Sequence, residues 1–218
     1  MQRRFFPFRL RRNPSEGRKG QPKLYIISGC NGSGKTTASY TLLPEILDCR
    51  EFVNSDEFAK AFSPFSPGSA SIQASRYMVL KIRYLLERKA DFAIETTLAT
   101  RSLKKIVTQA QELGYFVTVL YFWLDSPELA VARVKARVEA GGHDVPEETI
   151  RRRYKLGLQY FFFDYSPIAD RWILADNTEI PFKVIAQGWK KHMVVKDNIK
   201  YESIVSQAMH DSKDDSQQ

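Results

Sequence analysis

Cysteine and histidine are scarce in this chain, with two cysteines (30 and 49) and three histidines (143, 192 and 210) among 218 residues. Neither type falls in a spacing that gathers a metal ion, and Cys30 lies inside a glycine-rich loop, so both cysteines read as reduced thiols. Long apolar runs are missing too. None approaches the roughly 20 residues that span a bilayer, and no signal-peptide core with a small-residue cleavage site occurs. These absences give the expectation of a cytoplasmic protein with no membrane partner. Acidic residues are the remaining deficit, 25 against 33 Lys and Arg, for a formal charge of +8. That excess is local. Arg3, Arg4, Arg9, Arg11, Arg12, Arg18 and Lys19 face only Glu16 in residues 1–20, so the other 198 residues carry +2. The basic stretch reads as a flexible terminal extension. The rest shows no basic-aromatic stripe, which argues against nucleic acid as a partner.

What is present is an ordinary globular composition, 43% hydrophobic and 27% charged, long enough for one domain with a real core. Short apolar segments at 23–28, 50–54, 91–96, 115–124 and 171–175 read as strands. Helical patterns separate them: from about Gly34, over 71–88, over 102–113, from Asp125 or Ser126 to Gly141-Gly142, and from a capping box of Asp144 with Glu147 to about Phe163. Ser63 to Ser69 is turn-forming. Strands alternating with helices predict an α/β fold with a mostly parallel five-stranded sheet, helices on both faces, and ligands at the carboxyl ends of the strands. The apolar 115–124 segment suits the sheet centre. The organisation expected is a basic extension over 1–20, a domain over 21–190, and a C-terminal helix with a disordered tail over 191–218.

Gly29-Cys30-Asn31-Gly32-Ser33-Gly34-Lys35-Thr36 matches GxxxxGK[ST] between a strand and a helix, the context that makes this pattern a P-loop. Its glycines let backbone N–H groups approach phosphates at a positive helix end. Gly29, Asn31, Gly32, Ser33, Gly34, Lys35, Thr36 and Thr37 are the candidate ATP-binding residues, with Lys35 on the β- and γ-phosphates and the Thr36 hydroxyl on Mg2+. Two carboxylates end the neighbouring strands. Asp56 could take the proton of an acceptor hydroxyl, although Ser55 or Asp56 could equally cap the following helix. Glu95 could orient a magnesium-bound water, hold substrate together with Thr97, or simply be solvated. Arg133, Arg137, Arg151, Arg152 and Arg153 flank Gly141-Gly142-His143-Asp144-Val145-Pro146. Two arginine-bearing helices around a flexible joint make a lid in which guanidinium groups can neutralise a transferring phosphate.

The pieces GCNGSGKTT, VNSDEFA, IETTL and RVKARVEAGGHDVPEETIRRRY, within about residues 23–178, resemble the zeta toxin family of P-loop kinases. The resemblance implies transfer of the γ-phosphate of ATP to a sugar hydroxyl, the family's characterised acceptor being UDP-N-acetylglucosamine at its 3′-OH. It makes Asp56 the carboxylate that activates the hydroxyl and Glu95 an acidic substrate-site residue. Arg137 and one of Arg151, Arg152 and Arg153 become the lid arginines, with Arg152 the choice among the three. It also implies an antitoxin protein as a partner. Two other readings stand beside the kinase. A switch or motor ATPase would carry an NKxD or LSGGQ-type signature, and neither occurs. A nucleic-acid end kinase would use the basic extension.

Overall fold

The computed structural model describes residues 17–18 and 20–214. The expectations for the rest of the basic extension and for 215–218 lie outside the described residues. Strands β1 (Lys23–Ser28), β2 (Glu51–Val53), β3 (Phe92–Thr96), β4 (Phe116–Trp123) and β5 (Arg171–Asp176) are parallel, in the order β2-β3-β1-β4-β5. Helices α1 (Lys35–Thr41), α2 (Ser55–Phe62), α3 (Ser71–Glu87), α4 (Leu103–Glu112), α5 (Pro127–Glu139) and α6 (Glu147–Tyr160) alternate with them. After β5 the chain forms β6 (Lys183–Trp189), β7 (His192–Val195) and helix α7 (Asn198–Asp214).

The sheet has seven strands rather than five, because β6 and β7 extend it antiparallel beyond β5. Their sequence signal is weak for a physical reason. Gly188 interrupts the β pattern of β6, and it is required there because a side chain would collide with the Trp172 indole. The hairpin turn is carried by Lys190 at φ 53°, not by the glycine or asparagine that marks such turns.

β4 is the middle strand of the seven, and six of its residues from Val117 to Phe122 are buried apart from small remnants of exposure. Side-chain alternation sends Leu24, Ile26, Val117, Val119 and Tyr121 to one face, against α3, α4, α7 and the end of α6. Tyr25, Ile27, Leu120 and Phe122 face the other way, against α1 and the π-helical turn Leu42–Ile46 that follows it. Pro44 has no amide to continue the α1 ladder, and the helix widens around it. Among the described residues no helix is long and apolar enough to cross a membrane. Cys30 and Cys49 are both free and buried.

The α5 start follows its sequence. Ser126 is the N-cap, its hydroxyl accepting from the Leu129 amide at 3.2 Å, with Pro127 in the first turn. The start of α6 departs from it. The helix begins at Glu147 with Pro146 as its N-cap and no side-chain cap, so the Asp144–Glu147 capping box does not form. Val145 is drawn into a cluster with Val131, Val134, Ile150 and Tyr154 between α5 and α6. Reaching it needs extended backbone at 145–146, which the residue before a proline favours over a helical turn.

Candidate active site

The P-loop joins β1 to α1 and packs against β4, α5 and the segment after β5. Gly32 and Gly34 have φ of 79° and 82°, in the left-handed region that side chains disfavour. A Cβ at Gly32 would meet the Ala130 carbonyl of α5 at 2.6 Å, and one at Gly34 would strike the Asn177 amide. Ser33 is fully buried with its hydroxyl against Gly29, and its amide donates to the Cys30 carbonyl at 3.2 Å. Burial pushes the Cys30 thiol up to about 11.

Lys35 is 7% exposed, and its Nζ donates to the Cys30 carbonyl at 2.8 Å. Burial holds its ammonium below the ordinary lysine value, against the opposing pull of Glu95, Cys30 and Asp56. Thr36 Oγ1 lies 2.9 Å from both oxygens of Glu95 and donates to that carboxylate. Glu95 also accepts from Asn54 Nδ2 at 2.9 Å. Burial raises the Glu95 carboxyl above the usual range, Lys35 and the Thr36 hydroxyl draw it back, and Asp56 and Glu57 add repulsion. Thr37 is exposed on α1. Thr97 is half-buried beyond β3, its carbonyl packed against Gly157 of α6.

Asp56 stands in the first turn of α2 at the β2 end of the same rim. It does not cap the helix, and neither does Ser55. Asn54 does, its Oδ1 accepting from the amides of Asp56 at 2.8 Å and Glu57 at 3.4 Å. The Asp56 side chain is therefore exposed and makes no hydrogen bond or ion pair among the described residues. It is still close enough to Lys35 and Arg153 to favour their charged forms.

The arginines separate into distinct tasks. Arg153 is half-buried and donates from Nη1 to Asn31 Oδ1 in the P-loop at 3.1 Å. Burial lowers its affinity for the proton, Arg152 adds to that, and Asp56 opposes it. Arg152 is exposed and does not reach the loop through any hydrogen bond, so the arginine of this helix that touches the P-loop is Arg153. Arg151 is bonded to Glu128 at 2.6 Å and to Glu147, fastening α6 to α5. Arg137 donates to the His143 carbonyl at 2.7 Å, bracing the Gly141-Gly142 joint, and its charge is felt at Lys35.

Arg133 donates to the carbonyls of Asn177 at 2.9 Å and Thr178 at 2.8 Å. Asn177 in turn donates from Nδ2 to the Ser33 carbonyl at 2.7 Å, pinning the P-loop to the segment after β5. Asp176 beside it bonds Lys200 of α7 and the Thr178 amide. The Asn54 donation to Glu95, the Asn177 tie and the anchoring use of Arg133 have no local sequence signal, because each depends on a partner more than 40 residues away. A residue just before a helix with three acidic or polar neighbours could have identified Asn54 as the cap.

The sequence that builds the P-loop, the two rim carboxylates and the arginines of α5 and α6 lies within residues 9–161, which a family model described as zeta toxin matches. The chain belongs to the zeta toxin family. An uncharacterized protein of Haemophilus influenzae is 31% identical over 134 residues, 62% of this chain and 94% of its own length. Among solved structures, that of AvrRxo1-ORF1:-ORF2 with ATP superposes with a TM-score of 0.71 at 18% identity, covering 86% of this chain and 64% of that one. The PezAT toxin-antitoxin system of Streptococcus pneumoniae gives 0.61 at 14% identity, covering 93% and 90%. The zeta toxin-like chain described here thus spans 64% of the AvrRxo1 chain it resembles. These likenesses establish its fold as that of P-loop kinases.

Proposed function

We propose that this chain transfers the γ-phosphate of ATP to a hydroxyl of a small, nucleotide-sugar-like acceptor, with Asp56 as the base. The observation that carries the reading is the contrast between the two rim carboxylates. Glu95 is engaged by Thr36 and Asn54, whereas Asp56 is relieved of capping and open to an incoming alcohol. In the step proposed, Asp56 takes the proton of the acceptor hydroxyl as its oxygen bonds the γ-phosphorus. The bond from that phosphorus to the β–γ bridging oxygen breaks, and ADP leaves with the electron pair. Lys35, Arg137 and Arg153 hold and neutralise the phosphate oxygens, and the P-loop amides from Gly29 to Thr36 cradle the rest.

Thr36 and Glu95 would hold Mg2+. They fit it in kind, since both offer hard oxygen donors side by side. When bound, magnesium supplies charge neutralisation at the β- and γ-phosphate oxygens.

The family's sugar nucleotide acceptor, UDP-N-acetylglucosamine, and an antitoxin-type protein partner belong to the same proposal. They are supported by family membership and by the toxin-antitoxin likeness. The test is to incubate the purified protein with ATP, magnesium and a panel of nucleotide sugars, free sugars and oligonucleotides, then weigh the products. A nucleotide sugar heavier by one phosphoryl group is expected. A phosphorylated oligonucleotide end with unmodified sugars would replace this reading by that of an end kinase.

A further inference from the structure

Asn54 uses both ends of its carboxamide at once, and this is more than a cap requires. It is 4% exposed and immediately precedes α2. Its Oδ1 accepts from the Asp56 and Glu57 amides, while its Nδ2 donates to Glu95 Oε2 at 2.9 Å. Glu95 takes the Thr36 hydroxyl on the same carboxylate. The reverse orientation of the amide would set its NH2 against two backbone donors and its oxygen against a carboxylate, so the surrounding groups fix it one way.

Capping alone could be done by serine, threonine or aspartate. None of these can also donate to Glu95 from the same place: aspartate has no donor when ionised, and the serine hydroxyl is one atom shorter and has only one proton. We infer that Asn54 is a positioning residue that registers Asp56 on the acceptor side with Thr36 and Glu95 on the ATP side. This rests on the reading of Asp56 as the base. The link runs Asp56 amide, Asn54 side chain, Glu95 carboxylate, Thr36 hydroxyl, and it crosses from β2 through β3 to the start of α1. Two halves of a transfer site that belong to different strands are thereby held by one side chain. Misplacing a reacting group by about 1 Å can cost on the order of 100-fold in rate, so a link of this kind acts on turnover rather than on binding.

Water can stand in for the acceptor, so the test needs no identified alcohol. Asp56 takes a proton from water, the water oxygen bonds the γ-phosphorus, and ADP and inorganic phosphate are released. ADP release from ATP and magnesium is measured for the full-length chain, Asn54→Ser, Asn54→Asp and Asp56→Asn, with melting temperature and the Kd for mant-ATP for each. Asn54→Ser and Asn54→Asp keep a capping oxygen but lose the donor to Glu95. Asn54→Ser is expected to melt near the wild type and Asn54→Asp lower, because it sets a second buried carboxylate against Glu95; both should bind mant-ATP within about twofold, while kcat falls about 10- to 100-fold. Asn54 variants with wild-type kcat beside an inactive Asp56→Asn would overturn the inference and leave the base assignment standing. A wild-type kcat in Asp56→Asn would remove the base assignment itself. Loss of activity matched by loss of folding in both Asn54 variants, or matched by loss of mant-ATP binding, would make Asn54 a cap or a nucleotide ligand and overturn the inference equally.

Discussion

Replacing Arg153 and Arg152 separately by alanine should give very different enzymes, although the two are adjacent in sequence and alike in charge. Arg153 is half-buried with one guanidinium nitrogen 3.1 Å from Asn31 Oδ1, on the P-loop itself. Arg153→Ala removes a charge-assisted hydrogen bond worth about 1.5–3 kcal/mol. In the transfer proposed above it also removes a cation from the phosphate, where loss of one such preorganised donor costs about 3–4 kcal/mol, or roughly 100- to 1,000-fold in kcat. Arg152 is exposed, and its truncation should stay within about 0.5 kcal/mol, a two- to threefold change at most. Arg153→Lys should fall between, keeping the charge but not the planar fork. The assay is ADP release at saturating ATP and magnesium, with mant-ATP binding to separate affinity from turnover. A hundredfold loss in Arg152→Ala beside an active Arg153→Ala would refute the assignment of the phosphate-facing arginine.

Other variants probe other parts of the site. Lys35→Met should abolish ATP binding yet raise the melting temperature at pH 7. The buried ammonium has its folded pKa depressed, so its contribution to stability is present above the ordinary lysine value near 10.4 and is lost as pH falls, which makes the charged lysine destabilising at neutral pH. Thermal melts from pH 7 to 10 should show the gap between variant and wild type narrowing, and a widening gap would contradict the burial argument. Asn177→Ala strips the Ser33 carbonyl of its 2.7 Å partner, so urea unfolding should register a loss of about 1–3 kcal/mol and mant-ATP should bind more weakly. An unchanged Kd would mean that the loop is shaped without that tie. Cys30, buried and with its thiol pushed up to about 11, should resist iodoacetamide at pH 7.5 in native protein and react once the chain is unfolded in urea, as read by intact mass. Rapid native labelling would show the loop opening far more than its packing allows.

The fold was legible where the signal is local. A strand, a glycine loop and a helix in succession placed β1, the P-loop and α1, and the apolar run at 115–124 marked the central strand. Ser126 and Pro127 announced α5 because a cap and a first-turn proline act on their own neighbours. The hidden parts depend on distant partners. β6 reads poorly because Gly188 makes room for Trp172. Asp144 and Glu147 have the spacing of a capping box, but burial of Val145 between α5 and α6 overrides it. The site shows the same division. The P-loop motif marked Lys35 and Thr36, whereas three consecutive arginines look alike until the rotation of α6 turns Arg153 to the loop, Arg151 to Glu128 and Arg152 to solvent. Asn54 and Asn177 are ordinary polar residues in sequence, and only the folded chain sets them against Glu95 and Ser33.

In the proposed transfer, Asp56 accepts the proton of the hydroxyl that attacks ATP. The most direct measurement compares wild type with Asp56→Asn in the same vessel conditions, following both mant-ATP binding and transfer of labelled γ-phosphate to a nucleotide sugar. If Asp56 is the base, binding stays within about twofold and transfer falls by at least 100-fold, the scale of a positioned general base. Equal transfer by the two proteins would contradict it.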